Sequence, residues 1–132
     1  MPEAAVVETR VETRASQAKA TILLVEDEIL LAMMAHDALL DEGYRVLMVV
    51  TADEAVDVLA REKVDLVFSD IQMPGNRNGV DLALHLRRMA PELPILLTSG
   101  YWGSSTRQIP FDFLAKPYDL DELLETIRRL IH

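Results

Sequence analysis

The segment LVFSDIQMPG at residues 66–75 decides how this chain folds. It starts with an apolar run of strand length, continues into the acidic residue Asp70, and ends in a turn at Pro74 and Gly75. Apolar and polar residues do not alternate in this run, which is typical of a strand buried on both faces in a parallel sheet. The segment therefore predicts an interior strand that carries a carboxylate to one edge of the sheet.

Short apolar runs alternate with amphipathic stretches on both sides of this segment. Gly43 suits the left-handed end of a helix, and Thr51 with Glu54 and Asp119 with Glu122 have the spacing of capping boxes. This alternation predicts an α/β fold, a doubly wound sheet of five parallel strands covered by helices. The predicted strands span residues 21–25, 44–50, 66–69, 95–98 and 111–115, and the predicted helices span 29–42, a stretch from 51, 79–89 and 119–132.

The composition is that of one folded domain. Half of the 132 residues are hydrophobic, which argues against wholesale disorder, and the length suits a single domain. Cysteine is absent, so neither a disulfide framework nor a thiolate metal site can form, which fits a reducing cytoplasm. No apolar run approaches the roughly 20 residues of a membrane span. We therefore expect a cytoplasmic protein without a membrane partner.

The net charge of −9 is carried by residues 21–132. Residues 1–20 contain three acidic and three basic side chains and show no clear hydrophobic period. We expect them to form a disordered or marginally helical tail in front of a domain at 21–132. A domain this acidic repels phosphate backbones, which argues against direct nucleic-acid binding and favours a basic partner or a divalent cation.

Polar side chains follow four of the predicted strands, at the edge where ligands bind in such folds. These side chains are Glu26 and Asp27, Asp70, Thr98, and Lys116. Carboxylates that are crowded together repel one another, and a divalent cation relieves this repulsion. Oxygen ligands suit Mg²⁺, with Mn²⁺ as the alternative. The sequence therefore predicts a metal site at this edge of the sheet.

The order and spacing of these residues resemble the receiver domain of two-component response regulators. The resemblance covers residues 21–132 and rests on the motifs ED at 26–27, DIQMPG at 70–75, T at 98 and KP at 116–117. It implies a flavodoxin-like fold with strand order 2-1-3-4-5 and a phosphorylation site at the sheet edge. Asp70 resembles the phosphoacceptor. Asp27 directly and Glu26 through water would bind Mg²⁺, together with Asp70 and the backbone carbonyl of Gln72.

The resemblance also implies roles for residues beyond the metal site. Thr98 and Lys116 would each contact a phosphoryl oxygen, and the peptide bond before Pro117 is usually cis in this family. Phe113, three residues before Lys116, is at the position of the family's switch aromatic. Tyr101 is a second candidate for that switch role, and ordinary packing of Phe113 at a strand edge is the other interpretation.

The segment SGYWGSSTRQIPFDFLA at residues 99–115 departs from the family pattern. It is several residues shorter than a full fourth helix requires, and Gly100, Gly103 and Pro110 are poor helix formers. We therefore expect the fourth helix to be short or irregular, with about one turn near residues 104–108.

The helix predicted at residues 29–42 carries two apolar stripes at helical spacing. The stripe expected to pack on the sheet consists of Leu31, Ala35, Ala38 and Leu39. The stripe expected on the surface consists of Ile29, Met33, His36 and Leu40. Receivers commonly dock this helix on a histidine kinase or phosphotransfer protein, so the surface stripe is the expected partner face. Scattered surface hydrophobes and a homodimer contact are the alternatives.

The expected function is that of a single-domain response regulator, since no residues follow His132 for an output domain. Such a protein receives a phosphoryl group from a histidine kinase or phosphotransfer protein. It then signals to a downstream protein or passes the phosphate on, and it catalyses only its own phosphorylation and dephosphorylation. The alternatives are a receiver fragment of a hybrid kinase or multidomain regulator, and a phosphorylation-independent binding module. The complete set of site residues argues against the binding module.

Overall fold

The computed structural model describes residues 7–8, 18–75, 78–100 and 110–131. Within these residues the strands are β1 (Val7–Glu8), β2 (Thr21–Val25), β3 (Arg45–Val49), β4 (Leu66–Asp70), β5 (Ile95–Ser99) and β6 (Asp112–Ala115). The helices of the same residues are α1 (Ile29–Asp41), α2 (Ala52–Arg61), α3 (Gly79–Met89) and α4 (Leu120–Leu130). The five parallel strands, the helices α1, α3 and α4, and the start of α2 thus lie within two residues of their predicted bounds.

Strands β2 to β6 form a parallel sheet in the order β3-β2-β4-β5-β6. Numbered by the parallel strands alone, this is the order 2-1-3-4-5, so the predicted fold class is confirmed. The strand order reverses at β2, and the crevice beyond the carboxyl ends of β2 and β4 is where ligands of such folds bind.

Strand β1 corrects part of the prediction for the N-terminal tail. Val7 pairs with Met48 and Glu8 with Leu47, antiparallel to β3, so these two residues are extended rather than disordered or helical. The physical reason is the outer edge of β3, whose backbone N–H and C=O groups offer a template for one more strand. Residues 1–6 and 9–17 lie outside the described residues.

The helices begin where side chains cap them. The predicted capping box of α2 is confirmed: Thr51 accepts from the Glu54 amide at 3.1 Å, and the Glu54 carboxylate accepts from the Thr51 amide at 3.1 Å. At α4 the Asp119 carboxylate accepts from the amide of Asp121 at 2.8 Å, rather than forming the predicted box with Glu122. These caps satisfy amide groups that have no partner within the first turn.

The hydrophobic core lies on both faces of the sheet. In β2, Ile22 and Leu24 point to the side covered by α1 and α4, whereas Leu23 and Val25 point to the side covered by α2 and α3. All four side chains are at most 2% exposed. Burial on both faces explains why apolar and polar residues do not alternate in the parallel strands.

The buried face of α1 differs from the predicted one. His36 and Leu40, expected on the partner face, are only 5% and 8% exposed, whereas Leu31 and Ala38, expected to pack on the sheet, are only half-buried. Apolar residues cover nearly the whole circumference of this helix, so hydrophobic spacing alone could not select the inward face. The buried residues of α1 are Ala32, Ala35, His36, Leu39 and Leu40.

Four large apolar side chains remain exposed at the start of α1. They are Ile29, Leu30, Met33 and Met34, which we call the α1 patch. Their exposed fractions range from 41% for Met33 to 79% for Leu30, and residues four apart in a helix are neighbours on its surface. The α1 patch therefore replaces the predicted stripe as the apolar surface of this helix.

Two of the predictions cannot be compared with the structure. Tyr101 and the short helix expected near residues 104–108 lie outside the described residues. Within the residues that are described, no helix combines the length and the apolar character needed to cross a membrane.

Candidate functional site

The predicted site residues come together at the carboxyl edge of the sheet. Asp70, the last residue of β4, pairs with Thr98 of β5, and Ser99 at the end of β5 pairs with Ala115. Glu26 follows β2 directly, and its amide donates to the carbonyl of Val49. Because neighbouring strands end in register, residues far apart in the sequence reach one small region.

Three carboxylates form the acidic part of the site. Oxygen atoms of Glu26, Asp27 and Asp70 all lie within 4.8 Å of one another. Glu26 and Asp70 are 5% and 4% exposed, whereas Asp27 is open to solvent. Two buried carboxylates and one exposed carboxylate thus share a site whose negative charge favours a bound cation.

Lys116 supplies the positive charge of the site. Its Nζ lies 2.9 Å from Oδ2 of Asp70, 3.0 Å from Oε1 of Glu26 and 2.9 Å from Oε1 of Glu28. The side chain is itself only 13% exposed. The peptide bond between Lys116 and Pro117 is cis, as the resemblance implied. One ammonium group therefore faces three carboxylates.

The local charges and burial change the pKa values of both kinds of group. Burial raises the pKa of Glu26 to about 7, and the charge of Asp70 adds to this, although hydrogen bonds from the Glu28 amide and Lys116 act in the opposite direction. Burial alone would lower the pKa of Lys116. Hydrogen bonds to Asp70, Glu28 and Glu26 outweigh it and hold that pKa above its ordinary value.

The donor set fits a hard divalent cation. Among the described residues, the acidic side of the site offers carboxylate oxygens, and Mg²⁺ and Mn²⁺ prefer such ligands. A second positive charge would also relieve the repulsion among carboxylates that Lys116 balances only in part. Burial raises the pKa of Glu26 and the charge of Asp70 adds to this, so a bound cation would favour the charged form of Glu26.

The site opens into a shallow cleft of about 440 Å³. Its lining includes the side chains of Asp27, Glu28, Asp70, Gln72 and Lys116. A larger groove of about 750 Å³ lies between α2 and α3, but none of the acidic residues of the site lines it. The smaller cleft is therefore the one that can present Asp70 to a reactant.

Thr98 and Gln72 lie at the site but have other partners in this state. The Thr98 hydroxyl is buried and donates to the carbonyl of Leu114 at 2.5 Å. The backbone amide of Gln72 donates to Oδ1 of Asp70 at 3.3 Å. The side-chain oxygen of Gln72 accepts from the Ser99 hydroxyl at 2.7 Å. Phe113 is half-buried against the core on the α2 side. Its switch role stays a prediction, because one conformation does not test a switch.

Two contributors escaped the prediction. Glu28 directly follows Glu26 and Asp27 in the sequence, but this position gives no sign that its side chain bonds Lys116. Gly79 begins α3 so close to the strand end that a Cβ there would overlap the carbonyl oxygen of Asp70. Only the three-dimensional approach of α3 to β4 reveals that this position requires glycine.

Comparison with known proteins points to one family. A model of the response regulator receiver domain matches residues 22–128. The response regulator protein FleR of Pseudomonas aeruginosa is 38% identical over 83% of this chain. The sensor kinase CckA of Brucella abortus is 34% identical over 85% of this chain. The chain spans 24% of FleR and 12% of CckA, and thus only a minor part of these curated relatives.

A solved structure with the same fold matches this chain over nearly its own full length. The response regulator TrrA of Thermotoga maritima, solved in complex with Mg²⁺ and a beryllium fluoride, superposes with a TM-score of 0.77 at 28% identity. The match covers 85% of this chain and 99% of TrrA.

Proposed function

The chain belongs to the response regulator receiver family, and from this premise we propose that Asp70 accepts a phosphoryl group from a phosphohistidine in the presence of Mg²⁺. The donor would be a histidine kinase or a phosphotransfer protein. The observation that carries the proposal is the contact between Asp70 and Lys116 at 2.9 Å beside two further carboxylates, at the mouth of an open cleft.

The chemistry assigned to Asp70 is nucleophilic. A carboxylate oxygen of Asp70 forms a bond to phosphorus while the bond between phosphorus and the donor's imidazole nitrogen breaks, and the imidazole leaves with the electron pair and takes up a proton. The negative charge of the transferred group is spread over its outer oxygens. Lys116 is held beside Asp70 and supplies a fixed positive charge where that negative charge develops.

The metal would be held by Glu26, Asp27 and Asp70, and the backbone carbonyl of Gln72 is proposed as a further ligand. When bound, Mg²⁺ supplies positive charge that neutralises the phosphoryl oxygens and the crowded carboxylates. Thr98 is proposed to contact a phosphoryl oxygen in the phosphorylated state. That contact requires its hydroxyl to exchange the Leu114 carbonyl for the phosphoryl group.

We further propose that the chain acts on no substrate other than its own aspartate. The product is an acyl phosphate, which water can attack, so the site that forms it also permits its hydrolysis. A cytoplasmic location goes with this proposal, since kinases that form phosphohistidine from ATP act there. The relatives named above are bacterial, which supports a bacterial origin.

The α1 patch is the proposed partner face. It lies on the helix that follows directly after Glu26 and Asp27, so a protein bound there would be beside the cleft. Exposed apolar patches of this kind mark interaction surfaces. A homodimer contact through the same patch is the alternative.

The receiver is proposed to act either as a single-domain regulator or as one domain of a larger protein. The match to TrrA covers 99% of the TrrA chain. This supports a single-domain regulator that signals to a downstream protein or passes phosphate on. FleR and CckA, of which the chain spans only 24% and 12%, support a part of a multidomain regulator or a hybrid kinase. The genomic reading frame distinguishes these two arrangements.

Phosphorylation at Asp70 is tested with acetyl phosphate as the donor, with and without Mg²⁺. Intact mass spectrometry should show one added phosphoryl group on the wild type only when Mg²⁺ is present. Asp70→Asn removes the nucleophile with little change in volume and should stay unlabelled. Labelling of Asp70→Asn at the wild-type rate would reject the assignment.

A further inference from the structure

We infer that Glu28 is a positioning residue that holds Lys116 between phosphorylation events and thereby slows the reaction of Asp70 with anionic phosphodonors. This inference rests on the function proposed above. Glu28 is placed neither among the metal ligands nor among the groups that contact the phosphoryl group, so its contact with Lys116 needs a separate explanation.

Every donor of Lys116 faces a carboxylate. An ammonium group has three N–H donors, and the three oxygen atoms around Nζ come from Asp70, Glu26 and Glu28 at 2.9–3.0 Å. A phosphoryl oxygen therefore gains a hydrogen bond from Lys116 only when it replaces one of these carboxylates. The carboxylate that leaves should be the one whose release from Lys116 costs the least free energy.

Exposure to solvent identifies Glu28 as the group that leaves. Its side chain is 64% exposed, whereas those of Glu26 and Asp70 are 3% and 5% exposed. Water resolvates the Glu28 carboxylate as soon as it releases Lys116, so the exchange costs little. A buried carboxylate that lost the same contact would keep its charge without compensation.

The place of Glu28 in the chain points to the same role. Glu28 is the N-cap residue of α1, where the free amide groups of the first turn favour a negative charge. Its side chain makes no capping bond and reaches instead to Lys116, 88 positions later. Its own amide donates to Oε2 of Glu26 at 3.1 Å, which fixes the backbone beside the metal site.

The contact has a consequence for reactants that carry negative charge. Glu28 lines the cleft together with Asp27, so an incoming anion meets two exposed carboxylates at its mouth. It must also displace Glu28 before Lys116 can bond it. Loss of the Glu28 contact should therefore free one donor of Lys116 and speed the reaction of a small anionic donor.

The test compares three variants at saturating Mg²⁺ with acetyl phosphate below saturation. Glu28→Gln should be labelled about twofold to fivefold faster than the wild type, the range expected for an exposed ion pair. Glu28→Asp keeps the charge, but it is one methylene shorter and caps helices well, so it should release Lys116 and be labelled faster than the wild type. It should be labelled more slowly than Glu28→Gln, because its negative charge still faces the incoming anion. Glu125→Gln removes an exposed acid of α4 and should keep the wild-type rate.

A gain in rate separates this role from a merely structural one, because loss of structure slows the reaction. Urea unfolding of each variant checks that all remain folded at the assay temperature. The inference is overturned if Glu28→Gln is labelled no faster than the wild type, or if Glu28→Asp keeps the wild-type rate. A failure of the proposed function looks different: the wild type stays unlabelled, or the label survives in Asp70→Asn.

Discussion

Lys116 Nζ lies 2.9 Å from Asp70 Oδ2, although the two residues are 46 positions apart in the chain. Asp70 ends β4 and Lys116 follows β6, so two strand ends with β5 between them fix this distance. The pair couples the stability of the fold to the chemistry of the site. Lys116 compensates the buried carboxylates of Asp70 and Glu26 and also supplies the charge proposed for phosphoryl transfer.

Removal of Lys116 should destabilise the protein and make its stability depend on Mg²⁺. Lys116→Met keeps the volume of the side chain but leaves two buried carboxylates without their counter-ion. In the absence of metal we expect a loss of about 3 kcal/mol, near the lower end for a broken buried pair. The loss is limited because Glu26, with its pKa raised to about 7, readily takes up a proton.

Urea unfolding with and without Mg²⁺ measures this effect. The gain in stability from Mg²⁺ should be larger in Lys116→Met than in the wild type, because the cation replaces the lost charge. Lys63→Met removes an exposed lysine outside the site. It should change neither the stability without metal nor the gain in stability from Mg²⁺. An equal gain from Mg²⁺ in all three proteins would contradict the proposed compensation.

Asp27 should distinguish metal binding from general charge effects. If Mg²⁺ binds as proposed, it should stabilise the wild type by about 1.4 kcal/mol at a concentration about ten times the dissociation constant. Asp27→Asn should lose this gain, yet melt no lower than the wild type in the absence of metal, because a like charge has been removed from the acidic group. Thermal unfolding across a Mg²⁺ titration checks both statements. An undiminished gain in Asp27→Asn would exclude Asp27 as a ligand.

Gly79 should be needed for its lack of a side chain. A Cβ at this position would overlap the carbonyl oxygen of Asp70 and would lie 2.9 Å from Cα of Ile71, both backbone atoms that cannot rotate away. Gly79→Ala should therefore destabilise the fold by about 2 kcal/mol, as overpacked cores do. The forced shift of β4 should also slow labelling of Asp70 by acetyl phosphate.

Gly100 provides the matched control, since a Cβ there would meet only Cβ of Lys116, at 4.0 Å. Gly100→Ala should remain within about 0.5 kcal/mol of the wild type, as surface substitutions usually do. Urea unfolding of both variants decides the matter. Equal stabilities would show that the start of α3 can move away from β4 without cost.

The sequence alone was sufficient for the fold and for the convergence of Asp70, Glu26 and Lys116. Apolar runs without alternation specify a parallel sheet, and parallel strands place their carboxyl ends at one edge. Such reasoning follows the backbone, so it succeeds for residues that sit directly at strand ends. It gave no role to Glu28, whose contact with Lys116 depends on how α1 is oriented after β2.

The inward face of α1 shows a second limit of sequence reasoning. Hydrophobic spacing identifies a buried face only where polar residues mark the opposite one. In α1 the exposed Leu30 and Met34 are as apolar as the buried Leu39, and His36 is buried although its type suggests a surface position. The docking of the helix on the sheet decides the face, and that information is not local.

The α1 patch should affect transfer from a kinase but not labelling by a small molecule. Leu30→Lys and Met34→Lys place a charge on exposed positions, so the fold should tolerate both. With the phosphorylated histidine kinase that labels the wild type fastest, we expect transfer to slow about tenfold or more, as for residues central to an interface. Labelling by acetyl phosphate should stay within about twofold, because the patch does not line the cleft.

Leu84→Lys is the control for this experiment, because Leu84 is an equally apolar exposed residue on α3. It should leave both reactions unchanged. If the α1 variants lose both reactions to the same extent, the patch supports the fold and does not dock the kinase. If both reactions are unchanged and sedimentation shows that a wild-type dimer has become a monomer, the patch joins two copies of the chain instead.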